Sequence, residues 1–524
     1  MKGNYRKKGV PQGSQPGFWD LEPGPSPAAR PRAGEAHFLN PSPEALTVGT
    51  QSLRSYLCGH GLGWVLQLRA FLERSNLAPF QSGFDSRGRH ALHPVVLLGL
   101  VIYGIIVRRN SLRELERLSH SDVGAWWLCG GLQPDHSTIG NFLNRFSSIL
   151  TQEYFMALTR QLVRELKIPL GAVAGDGTVL EAASSRFNAL REEAARAALA
   201  EARESAASHP SESGQSAVEA AEQVLATVSE RRRQSARKGN SRRPDRIKVC
   251  PKEPEAVFQP LKNGSVRPSY KPVVLSHESG LVLGQGLSGS EESAIFPDLI
   301  SSHAQVMGAA PVRVLLDGAY HNHAVLGYCV EVGLDVLCAP GPGGGSGFKG
   351  AHKQFPKSRF RYDESGDRYL CPLGSELPRL KSGEHDGRRY VQYQGKSCGS
   401  CPARSQCTKS STGRSVLRYE GDELKEAMTK VFEDVRARAA YRKRSSTVEP
   451  VFAELKEKQG LKRFRRRGLA GAALEFSLHC LAYNLRKALA LKAKLLLLIV
   501  YDPQRRMVTG LGAILLLITA RDDS

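Results

Sequence analysis

Three acids stand where side chains could meet a substrate: Asp176 in GDGT, Asp317 in LLDGAY, and Glu449 in YRKRSSTVEPVFAELK. The first two end short apolar runs that read as strands, so their side chains would emerge at a sheet edge, and the third falls on a predicted helix. Only a tertiary fold can bring positions so far apart in the chain together. Around Glu449 the helical period adds detail. Arg442, Glu449 and Lys456 recur every seven residues, a spacing that drifts by only about 20° per step around a helix. Val448, Phe452 and Leu455 make an apolar stripe on a neighbouring face. A carboxylate with a cation two turns away on either side suits a site that handles phosphate; a solvated charge ladder fits the same period. His136, in PDHSTI, is assigned to helix capping or packing rather than to catalysis.

Two further groups carry chemistry. Cys371, Cys398, Cys401 and Cys407 form C-x26-C-x2-C-x5-C, which matches a closed four-thiolate structural Zn²⁺ site, although the last spacing is looser than usual. Reduced thiols in a β-rich insertion are the alternative. Cys58, Cys129, Cys250, Cys329, Cys338 and Cys480 are scattered single residues, and ten cysteines in 524 residues are no disulfide framework. The densest basic run is KRFRRRG, residues 462–468. Its Lys462, Arg463, Arg465, Arg466 and Arg467 are expected to contact phosphates and make binding salt-sensitive. A solvated basic helix end is the plainer reading.

The elements that must position these residues divide the chain as follows. Residues 1–45, rich in Pro, Gly, Arg and Ser, are expected to be a disordered basic tail. Residues 46–166 carry helical spacing, with a capping box at Ser111-Leu112-Arg113-Glu114. After Gly130-Gly131, Asp135 or Ser137 can cap a helix through Ile139, Phe142, Leu143 and Phe146. This is consistent with a helix-turn-helix or with an ordinary bundle. Residues 167–332 hold the strands of the two aspartates and an inserted helical hairpin near 186–234, Ala/Glu/Arg-rich and broken at SHPSESG. Residues 333–421 are a Gly- and Cys-rich insertion, in which GPGGGSG lacks dinucleotide-binding spacing and is assigned as a linker. Residues 422–492 are helical and carry Glu449, and 493–524 form a tail without assigned role.

Composition limits the partners. With 73 Lys+Arg against 51 Asp+Glu the formal net charge is +22, which argues for a polyanion. At 41% hydrophobic residues the chain is ordinary globular material. Its longest apolar runs fall short of the roughly 20 residues a membrane span needs. The N-terminus has no apolar segment behind its basic residues, so a cytoplasmic protein is expected.

The ordered set PDHSTIGNF, GDGT, LLDGAY and Y-x2-R-x4-E-x6-K resembles the DDE transposases of bacterial insertion sequences, over a stretch from about residue 92 to 489. The resemblance implies an α/β fold with an RNase H-like mixed sheet flanked by helices, preceded by a helical N-terminal DNA-binding region and interrupted by insertions. It implies Asp176, Asp317 and Glu449 as the catalytic acids, with Tyr441 and Lys456 as the outer members of the Tyr-Arg-Glu-Lys signature. The signature usually has three residues between Arg and Glu, and Ser445 stands there, with Arg444 and Arg442 as the nearest arginines. Tyr441, Arg442, Arg444 and Lys456 are accordingly expected among the DNA-contacting residues. Three carboxylates suit two Mg²⁺ ions, or Mn²⁺ in their place, because hard cations take oxygen ligands. Double-stranded DNA, as terminal inverted repeats and target, is the expected partner, with a homo-oligomer on DNA, no membrane and no nucleotide cofactor. An inactive or domesticated DNA-binding relative and an RNase H-like metal-dependent nuclease are the alternatives.

Overall fold

The apolar runs around the two aspartates pair into one mixed sheet. In the computed structural model, which describes residues 38–84, 90–237, 246–340, 354–385 and 387–500, its strands are β1 (Ala172–Gly177), β2 (Leu180–Glu181), β3 (Val257–Pro260), β4 (Val266–His277), β5 (Val282–Ser288), β6 (Arg313–Leu316) and β7 (Val336–Cys338). β7, β6 and β1 run parallel, and the long β4 lies antiparallel beside β1. One part of β4 pairs with β5, and its first residues pair with β2 and β3. The turn between β4 and β5 falls at Glu-Ser-Gly as the sequence suggests, with Gly280 at φ +85°. That left-handed backbone is one that glycine adopts without steric cost.

Alternation along β1 decides what each face sees. Val173 belongs to an apolar cluster formed with Leu299 and Ile300 of one helix and Val325, Leu326 and Cys329 of another. Ala174 belongs to a larger cluster on the opposite face. Asp176 has the parity of Ala174, so it is carried on the second face.

Ahead of the sheet come α1 (Leu53–Gly59), α2 (Gly63–Glu73), α3 (Pro94–Ile106), α4 (Leu112–Ser121), α5 (Val123–Cys129), α6 (His136–Arg145) and α7 (Tyr154–Glu165). Nearly every residue of α3 is buried, as expected of a helix that is apolar all round. Ser111 and Glu114 form the capping box, and Asp135 rather than Ser137 caps α6. The buried Arg69 of α2 donates to the carbonyls of Trp127 and Leu128, both at 2.9 Å, at the end of α5. A cation there offsets the negative end of the helix dipole.

The inserted hairpin is α8 (Glu192–Ser208) and α9 (Glu212–Arg237), with a small core of Ala195, Val224, Val228 and Val249. The sheet is then covered by α10 (Phe296–Met307) and α11 (His323–Glu331) on the Val173 face. The second insertion is a five-stranded antiparallel sheet: β8 (Arg361–Asp363), β9 (Arg368–Leu370), β10 (Glu376–His385), β11 (Arg388–Gln394) and β12 (Ser415–Tyr419). Last come α12 (Asp422–Val431), α13 (Val435–Tyr441), α14 (Lys443–Ala453) and α15 (Gly468–Val500). Among the described residues, no helix is long and apolar enough to cross a membrane.

Several boundaries differ from those expected. Residues 38–45, assigned above to the tail, join the fold: Phe38–Leu39 pairs with Ala91–Leu92, and the Pro41 carbonyl accepts from Arg69. Residues 1–37 and the GPGGGSG segment lie outside the described residues. The strand β7, placed above in the insertion beginning at 333, pairs in register with β6 and closes the main sheet. The helical N-terminal region and α14–α15 share one apolar core, with Leu98, Val448 and Phe476 in the same cluster. The boundary at 492 is not a break either, because α15 continues to Val500; residues 501–524 lie outside the described residues.

Candidate active site

Asp176 sits one residue from the end of β1 and Asp317 immediately follows β6, the strand beside it. A polar residue fits at these positions because the strand ends leave the apolar core. Asp317 caps a short 3-10 turn through Ala319 N–H at 2.9 Å, and Asp176 accepts from Gly177 N–H at 2.9 Å. Both aspartates face one guanidinium. Nη2 of Arg444 lies 3.0 Å from Asp176 Oδ1 and 3.9 Å from Asp317 Oδ2. The Arg444 side chain is only 11% exposed, and its Nε is buried without a hydrogen-bond partner among the described residues. Burial pushes the Asp176 carboxyl up to about 6; the Arg444 cation opposes that shift, and the negative charge of Asp317 adds to it.

Glu449 is not brought into this cluster. On a helix of about 100° per residue, five residues separate it from Arg444 by about 140°, so when Arg444 points at the aspartates Glu449 points elsewhere, and its side chain is exposed. The sheet-facing side of α14 is instead Val448, Val451 and Phe452, and the Thr447 carbonyl accepts from the Ser276 hydroxyl at 3.0 Å. The expected single face of Arg442, Glu449 and Lys456 is broken twice. Arg442 lies at the junction of α13 and α14, and a wide π turn, Glu454–Lys458, follows α14. Pro450 inside α14 lacks the N–H that a regular helix would use, which weakens the ladder just ahead of that turn. Lys456, within the wide turn, is half-buried and donates to the Thr178 hydroxyl, two residues past Asp176. Burial and the neighbouring Lys262 lower its pKa. Tyr441 packs edge-on against Phe432. Arg444, expected to contact DNA, is in this structure the counterion of the two aspartates.

Other groups at the site were not singled out by the sequence. Glu292, in a short turn after β5, pairs with Lys271 of β4 at 3.0 Å. Its carboxylate lies against the backbone after Asp176: a Cβ added at Gly177 would come 2.6 Å from the Glu292 carboxyl carbon. A side chain at Gly177 would have to push the Glu292 carboxylate aside. Tyr320 is fully buried, its hydroxyl has no hydrogen-bond partner among the described residues, and burial followed by the charges of Glu292, Asp317 and Asp176 raises its pKa. The sequence does not mark Glu292, which stands four residues past β5 and beside Glu291; the fold alone brings it to Gly177.

The basic run 462–468 is less uniform than its composition suggests. Phe464 is core and packs on Tyr270. Arg463 donates to the carbonyls of Ala182 and Ala183. Arg466 is mostly turned inward, donating to Asn144 of α6 at 2.9 Å, while its N–H and that of Arg465 are held by the buried carboxylate of Glu475. Arg466 is thus a joint between α6 and the start of α15 rather than an open phosphate contact. Lys462, Arg463, Arg465 and Arg467 are exposed. His136 Nδ1 lies 2.8 Å from Glu116 Oε2 of α4, in a partly exposed pair.

Cys371, Cys398, Cys401 and Cys407 do converge. They line one small cavity, about 30 Å³, beside the second sheet. The Cys371 sulfur accepts from Ser375 N–H at 3.3 Å and the Cys398 sulfur from Arg414 N–H at 3.4 Å. Among the described residues, however, no three His, Cys, Asp or Glu side chains stand close enough together to hold a metal ion.

Comparison with known families gives the chain its class. Residues 370–489 match the family described as a transposase DDE domain, which takes in the second insertion from the end of β9 onward, Glu449 and most of α15. Residues 64–145 match a second family, described as a transposase domain, over α2 to α6. No curated protein matches the chain. The two matches, in this order along one chain, support a DDE transposase of the insertion-sequence type.

Proposed function

We propose that Asp176, Asp317 and Glu449 hold the divalent metal ions with which this transposase cuts and joins DNA strands. The observation that carries the reading is the single Arg444 nitrogen within 3.0 and 3.9 Å of one oxygen from each aspartate. A cation already fits between these oxygens, and hard carboxylate oxygens are what Mg²⁺ or Mn²⁺ takes. Bound there, the metal ions would activate the attacking oxygen and stabilise the leaving one. The chain's own residues supply the frame: β1 and β6 fix the aspartates side by side, and Lys456 offers a cation next to Thr178 for a DNA phosphate. Glu449 is assigned through the signature, and reaching the aspartates requires a change in α14, which Pro450 makes easier.

The order β5-β4-β1-β6-β7, with β4 antiparallel to β1, supports an RNase H-like arrangement for the sheet. The helical region α2–α6 is the proposed DNA-binding part, and the terminal repeats of the element and target DNA are the proposed substrates. Pairing two ends calls for a homo-oligomer on DNA, acting in the cytoplasm. The four cysteines are proposed to take one structural Zn²⁺. The hydrogen bonds to the Cys371 and Cys398 sulfurs and the shared cavity favour it, and binding would draw the thiolates inward. Purified protein should hold about one zinc per chain, absent from Cys398→Ser; zinc far below that by metal analysis removes the site.

The functional test is cleavage of duplexes carrying the element ends in Mg²⁺. Asp176→Asn, Asp317→Asn and Glu449→Gln should each abolish nicking while leaving DNA binding within a few-fold of the parent. Metal-dependent nicking retained by any one of them removes that residue from the set.

A further inference from the structure

The geometry points to Arg444 as a built-in counterion that competes with metal for the two aspartates, so that metal binding and DNA binding are coupled through this one side chain. The inference rests on the metal-site reading above and adds to it a resident competitor. Asp176 Oδ1 and Asp317 Oδ2 share one nitrogen of Arg444, at 3.0 and 3.9 Å. A divalent ion bridging the same oxygens would claim the same space and would meet a fixed positive charge beside it. Metal can therefore enter only as the guanidinium leaves.

The surroundings favour a side chain that can leave. A guanidinium carries five N–H donors, and here the Nε–H is buried without a partner among the described residues. An unpaired buried donor is destabilising, so this resting position is satisfied in charge but not in hydrogen bonding. Arg444 lies on the first turn of α14, next to the exposed Arg442 and Lys443. A DNA phosphate at that surface would offer the freed guanidinium the two-pronged contact that arginine makes best. Each ligand would then assist the other: DNA draws Arg444 away and opens the aspartates to metal, and metal releases Arg444 to DNA. Linkage requires the two effects to be equal in size. In the absence of DNA, the Arg444 contact lowers the apparent metal affinity by the fraction of molecules in which the aspartates are free.

The test is Mn²⁺ binding to the full chain, followed by calorimetry and by the loss of the free-Mn²⁺ paramagnetic resonance signal, with and without a mixed-sequence DNA duplex. Arg444→Gln should bind Mn²⁺ about 5-fold or more tightly than the parent without DNA, the lower end of ordinary coupling strengths. The duplex should tighten Mn²⁺ binding to the parent and change it little in Arg444→Gln. Arg444→Lys, which keeps the charge, should bind Mn²⁺ less tightly than Arg444→Gln, and Arg444→Ala takes the glutamine variant's place if that variant fails to fold. A glutamine variant that binds Mn²⁺ no more tightly than the parent, or a lysine variant that matches glutamine, overturns the competition. Asp176→Asn separates the two claims: Mn²⁺ binding unchanged by that substitution overturns the metal-site reading itself, whatever Arg444 does.

Discussion

Asp176 is held by opposing forces at atomic range. Burial and the charge of Asp317 favour its protonated form, the Arg444 cation favours the carboxylate, and the balance is a pKa pushed up from 3.8 to about 6. A carboxyl whose folded-state pKa is raised binds its proton more tightly when folded, so its contribution to stability is full below about pH 4 and fades as pH rises through about 6. Asp176→Asn cannot ionise. In metal-free buffer its melting temperature should therefore gain on that of the parent between pH 4 and pH 7, and level off above. A difference that stays constant across this range would show that Asp176 is not perturbed. The residue scale is also where the sequence was most and least informative. The strand-end positions of Asp176 and Asp317 were legible because each closes an apolar run, a rule that depends only on local pattern. The environment of Glu449 was not legible, because one proline and one wide turn change which side of a helix faces the sheet. Arg444 was read as a surface contact because nothing in a linear sequence says that a cation is aimed at acids more than a hundred residues away.

The elements were read well wherever periodicity was strong and unbroken. The capping box at Ser111, the cap at Asp135, the α8–α9 hairpin and the β4–β5 turn all lie where their sequence signals put them. Strand β7 was misassigned because three residues carry too little pattern to show which sheet they will join, and pairing with β6 decides it. Long-range satisfaction of backbone groups was invisible for the same reason. Asn484 of α15 accepts from Val282 N–H and donates to the Val282 carbonyl, both at 2.8 Å, clamping β5 to the helix. Removing it leaves two buried backbone groups unpaired, each worth about 1–3 kcal/mol. Asn484→Ala should lower the unfolding free energy by about 2 kcal/mol or more in denaturant titrations, with an unchanged slope; a drop under about 0.5 kcal/mol would mean that the clamp is not a real restraint.

At the scale of the whole molecule, a net charge of +22 suits a protein whose substrate is DNA, yet the structure divides that charge unevenly. Arg466 and Arg69 are structural, Arg444 neutralises acids, and the exposed members of the basic run are Lys462, Arg463, Arg465 and Arg467. Reversing Lys462, Arg465 and Arg467 to Glu should weaken duplex binding and flatten its logarithmic salt dependence by about 0.9 for every phosphate that is no longer neutralised. An unchanged slope would mean that DNA binds elsewhere. Arg466→Glu should instead lower the melting temperature, because it breaks the joint to α6 and sets a charge against Glu475. The claim that unites residue, element and charge is that the Asp176–Asp317 site joins strands as well as cutting them. The direct measurement is transfer of a pre-cleaved, labelled element end with a free 3′ hydroxyl into supercoiled plasmid in Mg²⁺. Labelled plasmid is expected with the parent and none with Asp176→Asn, Asp317→Asn or Glu449→Gln. Joining that survives these substitutions, or a parent that nicks the ends in Mg²⁺ and never joins them, would contradict the claim.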